Sequence, residues 1–470
     1  METTHAAPQS NPLKTDKIPS LILKYSVPAV ISILVNAIYN MVDQIFIGQS
    51  QIGMLGIAAT NVALPVTTIC TGLSILLGSG GASSFNLCLG AGKKEEAGRM
   101  AGNALSLLTL SGAAVCGILL LLLSPLLNLF GVTPSVLPYA EAYTAIIAPG
   151  VPFLIFSSGT IFLIRADGSP KYAMGCMMAG AVFNLIFDPI FLFVFNMGIQ
   201  GIALATTLGQ MLSFVLALRY LLRRFHTVPL QRKNFKIQAD CVKRICAIGS
   251  TGCINQLAMM VVQIAMNNAL RYYGAFTDYG TDIPLAAVGA ITKLNLLFLS
   301  FVVGTAHGCQ PIFSFNYGAR QYARVRSTYK IAFLSVSIIA ILSFLCFQIF
   351  PGPLMSIFGE SDPLYLQFSV RYLRAFMACS FINGIQPLTA NFLSSIGHAK
   401  RGLLISLTRQ ILFFLPLILI LPLFMGLDGL MYAGPLGDVA AAIVALLLAW
   451  QELKNLTQLE KNALSHAPVN

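Results

Sequence analysis

Charge is what this sequence has least of. Asp, Glu, Lys and Arg make up 10% of its 470 residues while 56% are hydrophobic, roughly half the charged share of a soluble globular domain. No soluble fold could bury that much apolar surface, so lipid is the solvent for most of the chain. Alternating ten-residue strand patterns are also missing, which excludes a membrane barrel. A backbone in lipid must satisfy its own hydrogen bonds. The nearly charge-free stretches Ala114 to Leu123, Ile331 to Phe350 and Leu403 to Leu421 therefore read as parts of helical spans, each needing about 20 apolar residues. The fold class expected is an all-α membrane protein.

Other absences narrow the function. The ten cysteines form no CxxC and have no histidine at ligand spacing, so buried thiols are expected rather than a metal centre or disulfides. The first 24 residues include Pro8, Pro12, Lys14, Lys17 and Lys24 and lack an apolar stretch before a small-residue cleavage site, so no cleaved signal is expected. There is no HExxH, no Gly-rich phosphate loop and no Ser/His/Asp cluster, which leaves a membrane-embedded enzyme without catalytic groups. A net charge of +12 suggests nucleic acid at first sight, but the basic residues fall in loops between spans rather than on one soluble face. No cofactor, nucleic acid or obligate protein partner is implied.

Twelve spans are legible, at about 25–47, 55–82, 101–124, 142–164, 173–195, 199–221, 246–270, 286–314, 331–350, 370–394, 403–424 and 430–450. Most of the 29 Lys and Arg lie in the tails and every second loop. The opposite loops hold Arg271, Arg371 and Arg374 against Glu141, Asp278, Asp282, Glu360, Asp362 and Asp428. By the positive-inside rule both termini are cytoplasmic, in a bacterial inner membrane. The stretch from Arg219 to Arg244 carries eight basic residues and one acid and contains Pro229, which marks a boundary. The expected organisation is a cytoplasmic tail (1–24), a six-span lobe (25–221), a basic linker (222–245), a second six-span lobe (246–450) and a cytoplasmic tail (451–470). Gly90-Ala91 is echoed by Gly318-Ala319, and Gly168 with Lys171 by Gly397 with Lys400, at offsets of 228 and 229 residues. Six spans per half give both halves the same direction through the membrane, with a substrate path between them.

An ionisable side chain inside a span costs roughly 2.5–3.5 kcal/mol at a helix centre and needs a reason. Asp43, Asp188, Lys293, Arg409 and Asp438 qualify, with His307 a weaker sixth. In span 1, Asn36, Asn40 and Asp43 are spaced by four and three and share one helical face. In span 5, Asn184 and Asp188 are one turn apart, and Pro189 frees a backbone carbonyl. Span 6 adds Thr206, Thr207 and Gln210. Two carboxylates among amide and hydroxyl oxygens suit either a hard monovalent cation or a shared proton. The plain alternative for the amides and threonines is interhelical hydrogen bonding. It is weaker for the aspartates, because no Lys or Arg sits in the interior of spans 1 to 6 to pair with them. In the second half, Arg409 is expected to snorkel to the cytoplasmic surface, and Asp438 to pair with Lys293. Lys293, His307, Gln310 and Asp438 are the candidates for lining a substrate cavity.

Several segments carry a family resemblance: Tyr39-Asn-Met-Val-Asp-Gln-Ile-Phe-Ile-Gly48, Ala166-Asp-Gly-Ser-Pro-Lys171, Asn184-Leu-Ile-Phe-Asp-Pro-Ile-Phe191, Gly201-Ile-Ala-Leu-Ala-Thr206, Gly308-Cys-Gln-Pro-Ile-Phe-Ser-Phe-Asn-Tyr-Gly-Ala319 and Gly434-Pro-Leu-Gly-Asp438. In this order the chain resembles a transporter of the MATE (multidrug and toxic compound extrusion) family, and the second-half motifs resemble its bacterial MepA-like branch. The resemblance implies two pseudo-symmetric six-helix lobes forming a V, and alternating access in which H+ or Na+ enters as an organic cation or amphipathic drug leaves. It also implies a coupling site, for Na+ or a proton, at Asp43, Asn184, Asp188 and Thr206, with Tyr143 as the lobe tyrosine of span 4. Some relatives place a carboxylate in spans 7 and 10; here span 7 has Asn267 and span 10 has none. The rival readings are a flippase for lipid-linked oligosaccharides, which would need a basic central cavity, a membrane-embedded enzyme, and a passive channel.

Overall fold

The computed structural model describes residues 11–50, 52–130, 132–358 and 363–465. Glu360 and Asp362, counted above among the outer acids, lie outside the described residues, as do positions 1–10 (with Pro8) and 466–470 of the tails. Among the described residues all regular structure is helical. Eleven continuous helices are long and apolar enough to cross a membrane. These are α1 (Ile18–Gln49), α2 (Leu55–Gly90), α3 (Lys94–Leu121), α4 (Leu137–Ala166), α5 (Pro170–Val194), α6 (Ile199–Arg223), α7 (Ala239–Gly274), α8 (Asp282–Gly318), α9 (Tyr322–Ile349), α11 (Ala399–Met425) and α12 (Leu427–Ala463).

The tenth crossing is broken. Its two pieces, α10a (Pro363–Phe376) and α10b (Ile385–Ser395), flank irregular turns, which corrects the single span expected at 370–394. Asn383 and Gly384 close the break, and Pro387 follows in the first turn of α10b. A helix's first backbone donors have no intrahelical partner, so a proline there costs no hydrogen bond. A joint of the same origin divides α4, where Pro149 lies in a tighter turn at Ala148–Gly150 and Pro152 opens the second piece.

The internal repeat is written into the backbone dihedrals. Left-handed residues recur at matching turns of the two halves: Gly53 (φ 51°) with Gly280 (φ 63°), Gly92 (80°) with Arg320 (57°), Gly168 (94°) with Gly397 (94°), and Gly198 (60°) with Gly426 (58°). These offsets run from 227 to 229 residues. A side chain costs roughly 1–2 kcal/mol in this region, so glycine fills seven of the eight positions.

The lobes form a V joined at the end that carries the basic loops. There α1 packs on α8, and α2 on α7 and α8, with glycines letting backbones touch. A Cβ on Gly249 would lie 1.8 Å from the Leu76 carbonyl oxygen, one on Gly80 2.1 Å from that of Ile245, and one on Gly318 2.2 Å from that of Leu87. Gly304 and Gly308 are pressed in the same way against Val30 and Ser26. Toward the other end Ile38 and Ile45 of α1, Leu64 of α2, Ile264 of α7 and Leu296 of α8 are exposed. The short turn Pro12–Thr15 is strapped across the closed end: Arg324 donates to the carbonyls of Leu13 (3.1 Å) and Asp16 (2.7 Å), and Asn316 donates to that of Leu13 (3.2 Å).

The basic linker is not a free tether. The buried Asn103 of α3 donates to the carbonyls of Asn234 (3.1 Å) and Lys236 (3.2 Å) and accepts from the Gln238 amide (2.8 Å). Ser106 donates to the Phe235 carbonyl. At the linker's start, Asp167 accepts from Tyr220 (2.7 Å) and from the Thr227 amide (3.0 Å).

Candidate functional site

The middle of the first lobe gathers the polar residues of three helices. Packing of α1 on α5, and of α5 on α6, carries Asp43, the Asn184–Asp188 turn and Thr206 towards one another. Asp188 is 1% exposed and Asp43 9%. The Asn184 amide bridges the last two elements: its nitrogen donates to Asp188 Oδ2 at 2.6 Å, while its oxygen accepts from the Thr206 hydroxyl (3.0 Å) and backbone amide (3.2 Å). Asp43 and Asp188 lie near enough for the charge of one to act on the other, and the hydroxyls of Tyr39 and Tyr143 stand in the field of both. Asp43 Oδ1 is sealed from solvent and accepts no hydrogen bond from the described residues.

Neither carboxylate has a Lys, Arg or His at ion-pair distance among the described residues. A buried carboxylate left without donor or cation is expensive. The cluster's chemistry therefore suits a small positive guest: a proton on one carboxyl, or a bare cation among the carboxylate, amide and hydroxyl oxygens of Asp43, Asp188, Asn184 and Thr206. The hard donors fit Na+ as well as H+.

The other residues singled out from the sequence fall into different places. Asn36 and Asn40 are exposed on α1, bonded to each other, Asn40 donating to the Asn36 carbonyl (2.7 Å) and side-chain oxygen (3.1 Å). Tyr143 is buried. Gln210 points its Oε1 towards Gly150 in the joint of α4, 2.8 Å from where a Cβ would stand, and Thr207 next to it donates to the Ile146 carbonyl. The span 7 counterpart Asn267 is half-buried and accepts from Gln263.

In the second lobe two expectations are corrected. Asp438 pairs with Arg409, not with Lys293: Arg409 Nε donates to Asp438 Oδ1 at 2.7 Å. Arg409 does not snorkel, since its side chain is only 12% exposed. The reason is local, because α11 widens into a π-turn over Thr408–Phe414, which rotates the following residues and turns Arg409 inward onto α12. Lys293 is exposed.

His307 and Gln310 sit in the closed seam between the lobes. Gln310 donates across it to the Ser79 carbonyl (3.0 Å), the Ser79 hydroxyl (2.9 Å) and the Ser83 hydroxyl (2.8 Å). The His307 ring meets Phe162 of the first lobe edge-on at 5.2 Å. One residue escaped the sequence reading. Arg165, counted with the basic loops, is buried in the last turn of α4 with its guanidinium 5.7 Å from the Phe162 ring centre and no acid paired to it among the described residues. Its place just past a span boundary hid it.

A family model described as MatE matches residues 28–190 and 253–420. The chain is 23% identical over 445 residues to the multidrug export protein MepA of Staphylococcus saprophyticus, covering 93% of this chain and 94% of that one. A MepA from Staphylococcus aureus is 23% identical over 441 residues, with the same coverage. Its fold superimposes on a solved structure described as the outward-facing conformation of a multidrug resistance MATE family transporter of the MOP superfamily, with a TM-score of 0.89 and 21% identity over 97% of this chain and all of that one. With both lobes matched in order and more than half of its length within the family model, the chain belongs to the MatE family, whose members are transporters rather than enzymes.

Proposed function

We propose that the chain is a secondary antiporter that exports organic, mostly cationic drugs or toxic metabolites in exchange for H+ or Na+ by alternating access. The observation that carries this is the Asp43–Asp188 pair, sealed inside the first lobe with no basic partner among the described residues. Loading it with a proton or Na+ removes negative charge from the lobe and disfavours a bound cation. Linkage requires ion and drug to weaken each other's binding by the same factor, whether or not their sites overlap. Asn184 holds Asp188 in place and is itself held by Thr206, and Tyr39 and Tyr143 stand in the field of both carboxylates. Pro28 inside α1 gives that helix a joint through which a change of charge at Asp43 alters its path.

The basic end is then the cytoplasmic face of a bacterial inner membrane, with both termini on it, and the V opens outward. The similarity to MepA, a multidrug export protein, supports the drug-like substrate class. An oligosaccharide flippase would require a group of unpaired basic residues facing the cleft to hold a pyrophosphate; Arg165 is sealed in the closed end and Arg409 is neutralised by Asp438, which leaves Lys293 as the single exposed cation of these three. The test is accumulation of a fluorescent cationic dye in proteoliposomes under a pH gradient and a Na+ gradient imposed separately. Transport driven by one of them supports the proposal, and transport driven by neither contradicts it.

A further inference from the structure

Beside the docked linker, an apolar groove of about 780 Å³ runs between α3, α6 and the linker itself. Its walls include Leu110 of α3 and Leu222 of α6, which are 58% and 75% exposed. Both belong to helices that cross the membrane, so this surface faces acyl chains. Its floor is made by Phe235 and Ile237 of the linker, 40% and 48% exposed. Those two are apolar residues in an otherwise basic segment, Arg232-Lys-Asn-Phe-Lys-Ile237. The backbone is extended from Lys236 to Gln238, so side chains alternate. Phe235 and Ile237 turn to the groove, and Lys236 turns away from it, towards solvent.

The charge around this floor is one-sided. Arg223, Arg232 and Lys236 are exposed and form no ion pair among the described residues, whereas Lys233 is held by Glu95 at 3.2 Å. A linker with no lipid to meet has no physical reason to present Phe235 and Ile237 to the hydrocarbon side, nor to be fixed there by three hydrogen bonds with Asn103. Apolar walls at acyl depth, capped by unpaired cations at headgroup depth, complement a lipid with a negative headgroup.

We propose that the groove binds an anionic phospholipid, with one acyl chain between α3 and α6 and the phosphate held by Arg223 and Arg232. The site is independent of the ion exchange above and stands or falls separately from it. Delipidated full-length protein would be titrated with phosphatidylglycerol and with phosphatidylcholine of the same chains, and bound lipid counted by native mass spectrometry. Each basic residue near an anionic headgroup contributes roughly fivefold in affinity. Phosphatidylglycerol should therefore bind at roughly tenfold lower concentration or better. In an Arg223→Gln/Arg232→Gln variant it should fall to the level of phosphatidylcholine, whose own binding is unchanged and shows the protein to be intact. Ala113→Phe, which fills the groove from an exposed position, should weaken both lipids. Equal binding of the two lipids by the wild type, a preference that survives the double neutralisation, or full binding to Ala113→Phe would each overturn the site.

Discussion

Arg409 Nε and Asp438 Oδ1 stand 2.7 Å apart inside the second lobe, both nearly sealed from solvent. Each is tolerable there only because of the other. Breaking a buried pair by removing one partner strands a charge and costs about 3–5 kcal/mol, whereas replacing both by apolar groups is often neutral. Asp438→Asn and Arg409→Gln should each lower the melting temperature in detergent, and Arg409→Met/Asp438→Leu should recover most of the loss. Additive losses in the double variant would show that the pair is not coupled.

The glycines of the closed seam make a second test. A Cβ on Gly249 would lie 1.8 Å from the Leu76 carbonyl oxygen, so Gly249→Ala cannot form the seam as it stands. Cys309, fully buried beside Ser26, reports on it. Labelling of Cys309 by a maleimide applied from the basic side should be slow in the wild type and roughly tenfold or more faster in Gly249→Ala. Equal rates would mean that the seam does not govern access.

Backbone conformation predicts opposite signs for one chemical change. Gly168→Ala and Gly397→Ala place a side chain at φ 94° and should each cost about 1–2 kcal/mol. Gly117→Ala and Gly175→Ala add a Cβ to open space within α3 and α5 and should gain about 0.5–1 kcal/mol. Thermal unfolding of the four variants checks the sign.

The linker should become a substrate for protease when its clamp is removed. Asn103→Ala deletes three hydrogen bonds to the segment 234–238, each worth about 1 kcal/mol net. Trypsin should then cut at Arg232, Lys233 or Lys236 roughly tenfold faster or more, with the helices intact. An unchanged digestion rate would show that the segment is held by its apolar contacts instead.

These relationships were unequally legible in the residues. Scarcity of charge was enough for the helical class, and the echo of Gly90 in Gly318 for the repeat, because both reflect constraints acting on single positions. The break between Phe376 and Ile385 was hidden by the hydropathy of its flanks, since an averaging window runs over a few polar residues. The Arg409–Asp438 pair depends on a π-turn that no side-chain pattern announces. Polarity and titratability single out His307 and Gln310 in the sequence but do not say which partner they meet, and here both meet the first lobe across the closed seam. Asp43, Asn184, Asp188 and Thr206 could be proposed as a group because burying a carboxylate without a partner is costly wherever it occurs.

That group is the centre of the account, and its most direct test is equilibrium binding of a fluorescent cationic dye to the purified protein. Affinity would be measured across pH at fixed Na+ and across Na+ at fixed pH, for the wild type, Asp43→Asn and Asp188→Asn. The account predicts that wild-type affinity falls as one of the two ions rises, and that both variants, still folded and in the membrane, lose this dependence. An ion dependence in Asp188→Asn and Asp43→Asn equal to that of the wild type would contradict it.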